Sequence, residues 1–127
     1  MFLKDYYSNL NKQFTKFKFN GIAFDSAMVK KNYIFFAIKG NNIDGNKYIK
    51  HAIKNGSNII ISEKVKEKIE NNVLYLNNKN PRKLLAEFSS KLNYQRPSNL
   101  VAVTGTNGKS SIANFYYQIL KINKIKV

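Results

Sequence analysis

Six consecutive apolar residues, Tyr33-Ile34-Phe35-Phe36-Ala37-Ile38, leave a β-strand no polar face to turn toward water. Side chains alternate across a strand, so such a run must be covered on both sides, the condition of a strand inside a sheet layered by helices. The rest of the chain follows that demand. Gly21-Ile22-Ala23-Phe24, Asn58-Ile59-Ile60-Ile61 and Val73-Leu74-Tyr75-Leu76 read as further short apolar strands. Between Asn46 and Asn55 the residues Tyr48, Ile49, Ala52 and Ile53 recur at helical spacing, and Asn55-Gly56 marks the stop. Asn80-Pro81 opens a second helix with Leu84, Leu85, Phe88 and Leu92 on one stripe, Asn80 capping and Pro81 in the first turn. The spacing of Leu3, Tyr6, Tyr7 and Leu10 predicts a short helix at the start, then an extended lead-in through Phe14, Phe17 and Phe19. Lys64 to Glu70 is expected as a short charged helix. Strands alternating with helices predict an α/β fold with a mostly parallel sheet.

Periodicity lapses at Asn93-Tyr94-Gln95-Arg96-Pro97-Ser98, which divides the chain into residues 1–97 and 98–127. After this break, Asn99-Leu100-Val101-Ala102-Val103 is expected as a strand. Thr104-Gly105-Thr106-Asn107-Gly108-Lys109-Ser110-Ser111 then leads into a helix bearing Ile112, Phe115, Tyr116, Ile119 and Leu120. A strand, a glycine loop ending in Lys-Ser and a helix form the setting of a phosphate-binding loop: glycines let backbone N–H groups converge on an anion, and the helix start adds its positive dipole end. Gly105 through Ser111 are therefore the expected phosphate-binding residues. Lys109 is expected to stabilise the terminal phosphates as a point charge, its catalytic role, and the Ser110 hydroxyl to reach Mg²⁺. The spacing is shorter than the general G-x-x-x-x-G-K-[ST], because Val103 stands where that pattern has its first glycine.

Composition limits the alternatives. At 43% hydrophobic and 13% aromatic the chain suits a packed core, and with no cysteine it can hold neither disulfides nor Cys-based zinc sites. No segment approaches the roughly 20 apolar residues of a membrane span and the N-terminus lacks a secretory pattern, which gives an expectation of a cytoplasmic protein. The net charge of +15 invites a nucleic-acid reading. However, the charge is almost all lysine, spread along the chain, with only Arg82 and Arg96 as arginines, and base or bidentate phosphate recognition favours arginine. A solvated lysine surface with no nucleic-acid partner is the expectation. His51, with no carboxylate or second histidine near it in sequence, reads as a surface residue.

Several motifs in order resemble one family. Val103-Thr104-Gly105-Thr106-Asn107-Gly108-Lys109-Ser110 is similar to the shortened ATP loop of the Mur ligases and their folylpolyglutamate synthase relatives. Upstream, Phe24-Asp25-Ser26, Phe35-Phe36-Ala37-Ile38-Lys39-Gly40, Asp44-Gly45, Tyr48-Ile49, Ala52, Gly56 and Ile59-Ile60 resemble the N-terminal domain shared by the ligases that add the third residue and the final dipeptide. Asn80-Pro81-Arg82-Lys83-Leu84-Leu85-Ala86, with Pro97-Ser98, resembles the MurE type, which adds the third residue. The resemblance implies a UDP-sugar-binding domain over 1–97 and the start of a P-loop ATP-binding domain over 98–127. It implies an ATP-dependent ligase acting on UDP-N-acetylmuramoyl-L-alanyl-D-glutamate in peptidoglycan biosynthesis: ATP phosphorylates the substrate carboxylate, the amine of diaminopimelate or lysine attacks the acyl phosphate, and phosphate leaves. Phe24 and Ser26 would contact the uridine part, and Asn41, Asn42 and Ile43 would line the nucleotide-sugar pocket. Cofactors would be ATP and Mg²⁺, and the protein a monomer.

Two positions depart from the family pattern: Ala27 stands where an arginine is usual, removing one polar contact, and Lys31-Asn32-Tyr33 replaces Pro-Gly-Asp, altering a turn. Residues 98–127 need further strands to bury their apolar faces, so a fragment or truncated product is expected, unable to complete the ligation alone. Other readings are a MurF-type dipeptide-adding ligase, a non-catalytic nucleotide-sugar-binding module and, last, a lysine-rich nucleic-acid binder.

Overall fold

The computed structural model describes residues 1–7, 10–93 and 99–126. It divides into two compact units, Met1–Tyr94 and Gln95–Val127; the interruption read at residues 93–98 lies, from Tyr94 on, outside the described residues.

In the first unit five strands form one sheet: β1 (Gly21–Ala23), β2 (Tyr33–Phe36), β3 (Ser57–Ser62), β4 (Lys68–Glu70) and β5 (Val73–Asn77), in the order β1-β2-β3-β5-β4. All neighbours pair in parallel except the antiparallel edge strand β4. The apolar runs explain this arrangement. Along β2 and its continuation, Ile34 and Phe36 point to one face and Phe35 and Ala37 to the other; β3 divides Ile59 and Ile61 from Ile60 in the same way. On one face α1 (Ile49–Lys54) lays Ala52, Ile49 and Ile53 against Phe35, Ala37 and Ile60. On the other, α2 (Pro81–Leu92) joins the N-terminal segment over Ile34, Phe36, Ile59, Ile61, Leu74 and Leu76. There Phe88, fully buried, meets the rings of Tyr6, Phe19 and Phe36 at 5.5, 5.9 and 5.6 Å. Asn80 caps α2 by accepting from the Lys83 N–H at 3.0 Å, and Pro81 sits in its first turn, as its sequence predicts.

Three local expectations give way to tertiary demands. The opening segment forms two 3₁₀ turns, Leu3–Asp5 and Lys12–Phe14, instead of an α-helix. It is held by antiparallel contacts such as Leu3 N–H to Phe17 O and Phe19 N–H to Met1 O, both 2.9 Å, while Leu3, Phe14 and Phe19 enter the core. Residues 64–70 are not helical: Lys68–Glu70 is the edge strand β4, turned back onto β5 by Asn71 and Asn72, with φ of 49° and 62°. Two consecutive positive φ values define the hairpin turn whose twist matches the strands, and asparagine tolerates them. A seven-residue charged helix has no such compensation. Residues 99–103, expected as a strand, enter no ladder, and Leu100 is 85% exposed; a strand exists only against a neighbour.

The second unit's helix forms as expected, α3 (Lys109–Ile122), with Ile112, Phe115, Tyr116, Ile119 and Ile122 exposed. Among the described residues no helix is long and apolar enough to cross a membrane. Replacing Phe88 by alanine removes the ring on which three others close. It should cost roughly 3–5 kcal/mol, the usual penalty for a fully buried aromatic, measured as a lowered urea midpoint with an unchanged slope.

Candidate functional site

Parallel strands end with their side chains and loop backbones gathered at one edge, and open α/β sheets hold ligands in the crevice there. In the first unit such a crevice of about 650 Å³ opens past the carboxyl ends of β1 and β2. Phe24, Asp25 and Ser26 follow β1 directly. Ile38, Gly40, Ile43, Gly45 and Tyr48 follow β2, and Arg82 and Leu85 come from the first turns of α2. Phe24, Ile43 and Tyr48 are 68%, 62% and 44% exposed, so the mouth carries large apolar groups that water covers. A shaped, mostly apolar hollow with a few polar groups is what a small organic ligand requires.

The structure thus brings Phe24, Ser26 and Ile43 together. Asn41 and Asn42 lie exposed at the loop tip and are not among the lining residues. The reason is the loop's own closure: Gly40 N–H donates to Ile43 O at 2.8 Å, and Lys39 bridges Asp44, which folds Ile43 inward and lifts the asparagines away. Arg82 was not singled out for binding by the sequence, although its motif was; only pairing across the sheet carries α2 to this edge. At Asn32, where the family pattern has glycine, φ is 61°, a left-handed conformation that asparagine also adopts.

Polar contacts hold the loop that carries Ile43 and Gly45. Asp44 receives Lys64 Nζ at 2.6 Å, the Asn46 backbone N–H at 3.0 Å and the Asn46 side-chain amide at 2.7 Å. The Lys64 and Asn46 hydrogen bonds hold its carboxyl well below the usual carboxylate range. Asn46 in turn accepts from the buried Ser62 hydroxyl, tying the loop to β3. Gly45 passes so close that a Cβ there would lie 2.7 Å from Ile38 O, so only glycine fits. Ser26, itself 7% exposed, is braced by Asn55 Nδ2, which donates to its carbonyl at 2.9 Å, and by His51, whose Nδ1 lies 2.9 Å from Ser26 Oγ. His51 is exposed, as its sequence suggests, but it is coupled to the pocket, which no spacing along the chain reveals.

In the second unit Gly105 and Gly108 adopt φ of 151° and 74°, and Gly108 caps α3 in a left-handed conformation with open space where a Cβ would stand. Lys109 begins the helix, and its Nζ donates to the carbonyls of Gly105 at 2.5 Å and Thr106 at 3.0 Å, over the loop. Thr106, Asn107, Ser110 and Ser111 are exposed around it. The first-turn N–H groups of a helix have no partner within it, so the arrangement suits a phosphate. For a divalent cation the unit offers the Ser110 hydroxyl. No cluster of three acidic, histidine or cysteine side chains occurs among the described residues.

Residues 18–92, more than half of the chain, match the family model described as "Mur ligase family, catalytic domain". The UDP-N-acetylmuramoyl-L-alanyl-D-glutamate--2,6-diaminopimelate ligase of Rickettsia typhi is 40% identical over 110 residues, which cover 87% of this chain and 22% of that protein. The enzyme of the same name from Fusobacterium nucleatum is 44% identical over 74% of this chain and 20% of its own length. The chain therefore spans about a fifth of these relatives. Among solved structures, the MurF ligase of Thermotoga maritima in complex with ADP superposes with a TM-score of 0.61 at 27% identity, over 79% of this chain and 23% of that one. MurF from Acinetobacter baumannii, at 22% identity and a TM-score of 0.62, shares the fold.

The loop's dependence on Asp44 has a definite sign. Its carboxyl is lowered from the ordinary 3.8 in the folded chain, so its contribution is fully present above that value and is lost as pH falls below it. Asp44→Asn should lower the thermal midpoint at pH 7 by an amount constant up to pH 8, and the difference from the parent should close on acidification below pH 3.8.

Proposed function

This chain belongs to the Mur ligase family, and on that premise we propose that its first unit binds the uridine diphosphate part of a UDP-N-acetylmuramoyl dipeptide while its second holds the phosphates of ATP. The whole enzyme would be an ATP-dependent carbon–nitrogen ligase that adds the third residue, diaminopimelate or lysine, in cytoplasmic peptidoglycan synthesis. The observation that carries the first assignment is the convergence of Phe24, Ser26, Ile43 and Arg82 on one crevice at the strand ends. Phe24 and Ile43 offer apolar surface to a base, and Ser26 a hydroxyl to its polar edge. Among the described lining residues Arg82 is the one cation, and its guanidinium is suited to a diphosphate, while Asp25 in the same lining accepts the Ala27 N–H at 2.9 Å.

In the second unit the Gly105–Ser111 loop and the start of α3 would cradle the β- and γ-phosphates, Lys109 neutralising charge on them and Ser110 giving one oxygen to Mg²⁺. Bound ATP supplies the phosphoryl group that activates the substrate carboxylate. The relatives named as diaminopimelate ligases, at 40–44% identity, support the third-residue reaction over the dipeptide-adding one, whose solved examples resemble the chain at 22–27%.

Calorimetric titrations with UDP-N-acetylmuramoyl-L-alanyl-D-glutamate and with MgATP separate the two sites. Ser26→Ala and Arg82→Ala should each weaken the UDP ligand, Arg82→Ala by roughly tenfold or more as befits a charge-assisted hydrogen bond, and leave ATP unchanged. Lys109→Ala should weaken ATP alone. UDP-ligand affinity unaffected by both pocket substitutions would refute the assignment of that crevice.

A further inference from the structure

A hydroxyl has one proton to give, and Ser26 has two claimants for it: the crevice it lines and the imidazole of His51, with Nδ1 at 2.9 Å. The remainder of Ser26 is fixed. Its carbonyl takes the Asn55 amide at 2.9 Å, and the residue is buried at the start of a 3₁₀ turn whose cap, Asp25, is occupied by the Ala27 N–H. The one freedom left is the polarity of the hydroxyl. If Nδ1 is bare, it accepts the Ser26 proton and the crevice meets only lone pairs. If Nδ1 carries a proton, His51 donates to Oγ and the Ser26 proton is free to point at a ligand. Uridine diphosphate is rich in acceptors, with two uracil carbonyls and the phosphate oxygens, so the second state serves it.

We propose that His51 is a positioning residue that sets Ser26 as a donor into the crevice, so that protonation of His51 tightens uridine-nucleotide binding. The inference rests on the uridine reading given above. Charged groups near the imidazole can be enumerated from the elements packed on α1, namely β3 and the 3₁₀ turns Ser26–Met28 and Gly45–Tyr48. The strand contributes none, and the first turn contributes only Asp25 at its cap. The second contributes Lys47, with Asp44 at its cap committed to Lys64. Lys50 and Lys54 flank His51 on α1 itself. Imidazole is the side chain whose ordinary charge change falls between pH 6 and 8, and His51 is the one histidine of the chain.

His51 is the chain's only histidine, so its imidazole nitrogens can be followed by NMR in the 127-residue protein without ambiguity. Ser26→Ala should shift the Nδ1 resonance of the ligand-free chain. Titration with UDP-N-acetylmuramoyl-L-alanyl-D-glutamate, whose ionisable groups do not titrate between pH 6 and 8, should show the parent binding roughly two- to tenfold tighter at pH 6 than at pH 8, the scale of one neutral hydrogen bond. His51→Asn, whose amide nitrogen can stand at the Nδ1 position and donate at any pH, should bind as well as the parent at pH 6 and lose the pH dependence; His51→Ala should bind weakly at both. Parent affinity equal at the two pH values, or His51→Ala indistinguishable from the parent, would overturn the inference and leave the uridine reading standing. No binding by the folded parent at either pH would overturn that reading and the inference with it.

Discussion

Burial of β2 and β3 on both faces is the constraint on which the first unit depends. Ile34, Phe36, Ile59 and Ile61 on one side and Phe35, Ala37 and Ile60 on the other are all out of water. Two apolar faces require two covering layers, and α1 on one side with α2 and the N-terminal segment on the other provide them. Parallel strands then follow from the crossovers that carry the chain across the faces. Because parallel strands all end at one edge, the segments after β1 and β2 meet there, and the start of α2 reaches the same edge. The crevice is a geometric by-product of the core, and its chemistry is supplied by loops that the core does not itself determine.

Those loops are stiffened by local polar contacts instead of by packing. Asp44, gathered between Lys64 and Asn46, holds the turn that bends Ile43 toward the crevice, and Asn46 passes the constraint to Ser62 on β3. Ser26 is held in a comparable way by His51 of α1 and by Asn55 at that helix's C-cap. Each wall of the crevice is therefore fastened to an element of the buried sheet or to the helix packed on it. The second unit contrasts with this: Ile112, Phe115 and Ile119 of α3 are exposed, and its organised feature is the loop from Gly105 to Lys109.

Much of this was legible in the sequence where one local signal and one tertiary requirement agree. The apolar runs at 34–36, 59–61 and 73–76 became strands, and the Asn80-Pro81 cap began a helix, because burial reinforced propensity. Where they conflicted, tertiary structure prevailed. The helical spacing of Leu3, Tyr6 and Tyr7 yielded to antiparallel contacts with residues 17–19, and the charged segment before Asn71-Asn72 became an edge strand because those two asparagines accept positive φ. The asparagine pair was a readable hairpin signal that the charge pattern obscured. In the candidate site, Phe24, Ser26 and Ile43 belong to motifs close to their strands. Arg82 reaches the crevice, and His51 reaches Ser26 beside it, only through long-range pairing, which no local period encodes.

The most direct measurement is chemical-shift mapping of the isotope-labelled chain during titration with UDP-N-acetylmuramoyl-L-alanyl-D-glutamate. Perturbations concentrated on Phe24, Ser26, Ile43, Tyr48 and Arg82, with residues 105–111 unmoved, are the predicted result. Perturbations confined to 105–111, or none in a folded chain, would contradict the assignment of the crevice as the nucleotide-sugar site.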